Sequence, residues 1–266
     1  MRIKVLSFAA SFFLITNYSA GMPQSQATVT SSPQAVTLLG QSLKAMTGST
    51  NVADVTLTGT VEWIAGSDDE TGTATYRALG NMSRLDLSLS GGTRSEILNC
   101  GATPPTGSWI GPDGVSHSMA YHNLLTAPGW FPPFAFANIY SSTTSLVTYV
   151  GPETHNGLAV IHLSYARQIQ SSTGSMPNLL QHLSQVDVYI DSNTFLPLSF
   201  VFNMHPDVDA ATDIPTEIRY ANFQNVGGVQ IPFHVQKYVN NSLVLDLQFQ
   251  NVSLNTGVTA AQIAGQ

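Results

Sequence analysis

The chain has few charges, a single cysteine and no long apolar run, and each shortage excludes something. Charged residues make up 9% of its 266 positions, against about 25% in an ordinary soluble domain. Ser, Thr, Asn and Gln take their place. These side chains suit strands and turns and supply few of the ion pairs that support helices, so the composition points to β structure. Cys100 is the only cysteine, so no disulfide can form within the chain and the core alone must hold the fold. Basic residues are scarce: 9 against 16 acidic ones, for a net charge of −7. Such a chain is repelled by polyphosphate and by anionic membrane surfaces, which argues against nucleic acid as a partner.

The longest uncharged apolar run at the N-terminus is Val5 to Thr16. As a helix it would rise about 18 Å, short of the roughly 30 Å hydrocarbon core. Arg2 and Lys4 precede it, and small residues follow at Ser19-Ala20 and Ser25-Gln26-Ala27. This is the layout of a signal peptide over residues 1–27, cleaved after Ala20 or Ala27. No cysteine follows the apolar run, so a lipid anchor is not expected. Removal of residues 1–27 leaves 7 basic and 16 acidic residues, a net −9. A periplasmic or secreted protein is expected, with residues 28–31 as a disordered leader and 32–266 as one domain.

Chemical signatures are missing too. There is no HExxH, P-loop, GxSxG or CxxC pattern. His117 and His122, the closest pair of histidines, face opposite sides of a strand, so a shared metal is not expected. Asp207, Asp209 and Asp213 lie in a loop without EF-hand spacing and read as solvated carboxylates. Asp68-Asp69-Glu70 is placed on a hairpin tip. Alternation and strand ends put Glu62, Asp86, Glu96, Asp187, Asp191 and Glu217 outside the core. No catalytic residue, metal or cofactor is assigned.

What is present is pattern. Ser32 can cap a helix with Pro33 at its first position, and Val36, Leu39, Leu43 and Met46 share one face before Gly48 stops it. From Val55 the period falls to two. Val55, Leu57, Val61 and Trp63 alternate with threonines and a glutamate, and turn residues then recur about every ten positions, as in an antiparallel meander. Residues 101–115, rich in Pro and Gly, read as loop with one short strand around Trp109. Residues 122–145 are apolar but broken by Pro128, Pro132 and Pro133, so short helical pieces are expected there, one starting near Pro133. Strands resume after residue 146, with a short helix over Met176–Leu183 and a helical turn after Thr259.

The aromatic, proline-broken segment reads either as a cap on the core or as a lid over an apolar cavity. In the second case Trp63, Trp130, Phe131, Phe134, Phe136 and Phe200 are the expected ligand contacts, because apolar burial holds lipids or acyl chains without directional demands.

The order of parts resembles the LolA-like family of periplasmic lipoprotein and lipid carriers. The helix at Pro33 leads into Tyr76-Arg77-Ala78-Leu79-Gly80 and Arg84-Leu85-Asp86-Leu87. After the lid come Tyr149-Val150-Gly151-Pro152-Glu153 with Asn156-Gly157, then Asp187-Val188-Tyr189-Ile190-Asp191 with Leu196-Pro197-Leu198. Tyr220-Ala221-Asn222-Phe223 and Gly228-Val229-Gln230-Ile231-Pro232-Phe233 close the series. The resemblance implies a mainly β fold: a strongly curved, incompletely closed antiparallel sheet (a half-barrel) with an N-terminal helix and short lid helices. It implies a non-enzymatic carrier of a lipid or other apolar ligand. The chain departs from the carrier pattern in its Pro/Gly insertion at 101–107. Two further readings stand beside the carrier: a structural or interaction module with an envelope protein partner, and an envelope hydrolase needing convergent His, Asp or Glu.

Overall fold

A computed structural model describes residues 30–126, 129–168 and 176–265. The expected signal peptide lies outside these residues. Helix α1 (Pro33–Thr47) forms where the cap pattern predicts it. The Ser32 hydroxyl accepts the Ala35 N–H, and the Gly48 N–H closes the other end on the Lys44 carbonyl. Ser31 was expected in the leader but is held in place. Its hydroxyl donates to the Ser145 carbonyl and accepts the Val147 N–H, while the Ser32 N–H donates to the Val147 carbonyl.

Thirteen strands follow in one sheet. The first six are β1 (Asp54–Ala65), β2 (Asp68–Leu79), β3 (Met82–Leu89), β4 (Gly92–Asn99), β5 (Thr106–Ile110) and β6 (Ser116–Ser118). The rest are β7 (Ser145–His155), β8 (Leu158–Arg167), β9 (Val186–Asp191), β10 (Pro197–Met204), β11 (Ile214–Val226), β12 (Val229–Val239) and β13 (Ser242–Leu254). The spatial order is β6-β5-β4-β3-β2-β1-β13-β12-β11-β10-β9-β8-β7, and each neighbouring pair is antiparallel. β1 therefore joins the two halves by pairing with β13, while β6 and β7 are the free edges. The sheet is an incompletely closed half-barrel, as the family resemblance implied.

Tight hairpins set the register. Asn240 and Asn241 both have positive φ (48° and 61°), as do Asn156 and Gly157 (50° and 81°). Both central residues of such turns must be left-handed to match the twist of the flanking strands. One turn is shorter than the sequence suggests. Ala65 pairs with Asp68 and Trp63 with Glu70, so only Gly66-Ser67 turn. Asp68, Asp69 and Glu70 belong to β2, not to a loop. The Glu70 carboxylate accounts for this: it accepts N–H groups from Arg94 and Gly91 and the Ser90 hydroxyl. Glu70 is thereby tied to the β3–β4 turn, while Asp68 and Asp69 remain exposed.

One face of the sheet is apolar. Leu57, Tyr76, Leu85, Phe200, Tyr220 and Leu247 are buried there with Leu39 and Met46 of α1. Threonines and charged groups occupy the other face, where Asp246 takes bonds from His234 and Gln236. Two helices complete the lid and the C-terminus: α2 (Pro132–Ser141) and, beyond α3 (Met176–Leu183), α4 (Ala260–Ala264). Thr259 and Gln262 form a reciprocal capping box at α4.

Candidate ligand cleft

The lid follows from topology. β6 and β7 are consecutive in sequence but lie at opposite edges of the sheet. The chain between them, residues 119–144, must cross the whole apolar face. It does so as a 3₁₀ turn (Tyr121–Leu124) and then α2. The 3₁₀ turn is pinned to the end of β10: Asn123 donates to the His205 carbonyl at 2.8 Å and accepts the His205 N–H at 2.9 Å. Tyr220 donates its hydroxyl to the Gly129 carbonyl at 2.7 Å. The Trp130 indole N–H donates to Glu96 at 2.7 Å.

The lid does not cover one chamber. Its aromatic centre is packed against the sheet and separates clefts on either side. Trp130, Phe131 and Phe136 are at most 2% exposed. Phe131 meets Phe134 edge-on at 4.9 Å, and Phe136 stacks on Phe200 at 5.6 Å. On the β4–β5 side a cleft of about 340 Å³ is lined by Trp63, Leu85, Leu87, Trp109, Trp130 and Leu245, with Arg94, Glu96 and Lys237 at its polar points. Trp109 is 43% exposed, so this cleft opens to solvent. A neighbouring cleft of about 270 Å³ runs past Leu98, Met119, Phe202 and Met204 and shares Glu96, Trp109 and Lys237 with the first. Farther along the lid, about 320 Å³ lies between Leu125, Ala135 and Ile139 of the lid and Tyr165, Phe200 and Phe202 of the sheet, reaching Asn81 and Cys100 beside the end of β4 and sharing Phe202 with the second cleft.

Of the six residues expected as ligand contacts, Trp63 and Trp130 line the first cleft and Phe200 the far one. Phe131, Phe134 and Phe136 line none of the three; they are the plug between them. Sequence reasoning missed Trp109, Leu245, Glu96 and Lys237. Lys237 continues the inward set Val229, Ile231, Phe233 and Val235 on β12, and that alternation was the available signal. Glu96 was expected outside, and this is a correction. Ile97 and Leu98 are both apolar and leave the phase of β4 ambiguous. The register decides it: Leu85 pairs with Glu96 and Leu87 with Arg94, so the charged pair shares the apolar face.

The electrostatics are uneven. Burial pushes the Lys237 ammonium below its ordinary range, against the pull of Glu96. Arg94 lies 3.9 Å over the Trp63 ring and donates to Glu70 at 3.1 Å. Burial raises the Tyr220 phenol well above its usual range, which keeps it a hydrogen-bond donor to the lid.

Donors suited to a metal gather once among the described residues, at His182, His205 and Asp213, within 4.8 Å of one another. His205 Nδ1 lies 3.5 Å from Asp213, while its buried Nε2 has no hydrogen-bond partner among the described residues. His182 meets Asp213 at 2.9 Å, and His205 Nδ1 lies 3.1 Å from the Thr212 carbonyl. His122 also approaches His205, with ring centres 5.8 Å apart, so three of the histidines meet near the 205–213 loop. Asp209, one of the loop acids, is engaged locally by Thr212 and the Ala211 N–H. No helix among the described residues is long and apolar enough to cross a membrane.

No protein-family model and no curated protein matches the chain in sequence. Solved structures do match in fold. A domain assigned as an outer membrane lipoprotein-sorting protein from Vibrio parahaemolyticus superposes with a TM-score of 0.56 at 12% identity, covering 87% of this chain and 97% of that one. A LolA superfamily protein from Nitrosomonas europaea gives 0.53 at 13% identity, covering 84% and 94%. A DUF1329 family protein from Desulfovibrio piger gives 0.56 at 9% identity, covering 86% and 95%. The chain has the LolA-like fold.

Proposed function

We propose that this protein is an exported, non-enzymatic binding protein that holds a lipid or other apolar ligand between the curved sheet and its lid. One observation carries the reading: all three tryptophans of the chain line a single apolar cleft that opens to solvent. Large apolar side chains left facing a cavity mark a binding surface, since a core would have closed on them. A fold neighbour named for lipoprotein sorting supports the ligand class. Trp63 and Trp130 touch the ligand where they stand, and Phe131, Phe134, Phe136 and Phe200 join the contact surface when α2 lifts. The signal peptide over residues 1–27 delivers the chain to the periplasm or the medium.

The tryptophans supply the test. Titration with the neutral dye N-phenyl-1-naphthylamine should quench tryptophan emission and raise dye emission saturably, and Trp63→Ala should weaken both signals. A folded protein that shows no saturable signal ends this reading. It would leave the second one, a structural or interaction module of the envelope, which the tightly packed plug of Phe131, Phe134 and Phe136 favours.

A further inference from the structure

The clefts on the β4–β5 side meet at three residues, Glu96, Trp109 and Lys237. Lys237 is the anomaly among them. It interrupts the apolar face of β12 and stands between Ile218 on β11 and Leu245 on β13. An ammonium has three N–H donors to place. Among the described residues, no oxygen lies within hydrogen-bond or ion-pair reach of this one, and Glu96 acts on it only through space. The other charges of the cleft are engaged. Arg94 holds Glu70 and covers Trp63; Glu96 holds the Trp130 indole. A cation left unpaired on an apolar wall costs stability that a leucine there would not. A partner supplied from outside the chain removes that cost.

Resting on the binding reading above, we infer that the ligand is a single-chain amphiphile with an anionic head. Its carboxylate or phosphate pairs with Lys237 at the junction of the two clefts. Its apolar chain lies along Trp63, Leu85, Leu87 and Leu245. Clefts of about 340 and 270 Å³ suit one chain bent through the junction. Glu96, fixed to the lid by Trp130, repels the head from the β4 wall and leaves Lys237 as its place.

Four amphiphiles with one dodecyl chain and different heads separate the possibilities: dodecanoate, dodecyl phosphate, dodecanol and dodecyltrimethylammonium. Each displaces the naphthylamine dye from the wild-type protein and from Lys237→Met, which keeps the stem and removes the charge. An anion should bind the wild type about tenfold or more tighter than dodecanol, the scale of a charge-assisted bond in a cleft. Lys237→Met should erase that margin, and Lys237→Arg should retain it. A preference for carboxylate or for phosphate identifies the head. Equal affinity for anion and alcohol, an anion preference that survives in Lys237→Met, or tighter binding of the cation overturns the assignment of the head while the binding reading stands. Failure of all four, dodecanol included, on a protein whose circular dichroism shows it folded removes both.

Discussion

A Cβ added at Gly129 would lie 2.6 Å from Phe200 Cε2 and 3.3 Å from the Tyr220 hydroxyl. Phe200 cannot yield easily, because it is stacked on Phe136 and met edge-on by Tyr220. Gly129→Ala should therefore cost about 1–3 kcal/mol, the range for overpacking a filled site, read as a lower urea midpoint. Two carboxyls set an acid limit. Burial pushes Asp54 up, but N–H groups of Gly257, Thr256 and Val258 outweigh it and hold the group below its ordinary range. Burial likewise raises Glu217, and the bonds from Arg219 and His155 outweigh it. A carboxyl depressed by folding stabilises the native state fully above the unfolded value and loses that contribution as pH falls through the folded one. The urea midpoint should thus be level near neutrality and fall below about pH 4, and Asp54→Asn should flatten the fall. Single residues were also where the sequence was hardest to read. Ile97 and Leu98 offered two phases for β4, and only pairing with β3 turned Glu96 inward.

Among the elements, α1 and the long alternating strands were legible because cap, stop and period agree within a few residues. β6 was not: Ser116, His117 and Ser118 are all exposed, so no buried face signals a strand, and it exists because β5 offers it an edge. The lid was legible as apolar and helical. Its plug was not, because whether an aromatic ring fills space or borders it depends on residues sixty or more positions away. Among the described residues of the lid, the Trp130 to Glu96 bond is the side-chain hydrogen bond that reaches the β4 wall. Trp130→Phe keeps the ring volume approximately and removes the donor. It should raise amide exchange across residues 129–141 and leave β1, β12 and β13 unchanged. Equal protection of α2 in both proteins would show that packing alone holds the lid.

For the whole molecule, one feature lay beyond local pattern. β1 pairs with β13 across about two hundred positions, Val55 opposite Leu254, and no periodicity announces such a partner. The family resemblance supplied the half-barrel, and the coordinates bear it out. With one cysteine and few charges, the chain depends on a single continuous core, and all three tryptophans lie where lid and sheet meet. Urea unfolding followed by tryptophan emission and by far-ultraviolet circular dichroism should therefore give one coincident transition. An emission change that precedes loss of the sheet would reveal a lid that detaches by itself.

The segment from β6 to β7 is fastened at both rims of the open sheet, like the handle of a bucket. A handle of fixed length cannot move independently of the rims. Drawing them together bows it outward and widens the gap beneath; spreading them pulls it taut against whatever lies inside. Bending of the strands and the width of the opening are then a single mechanical coordinate, and a force on either outermost strand is a force on the space beneath the handle.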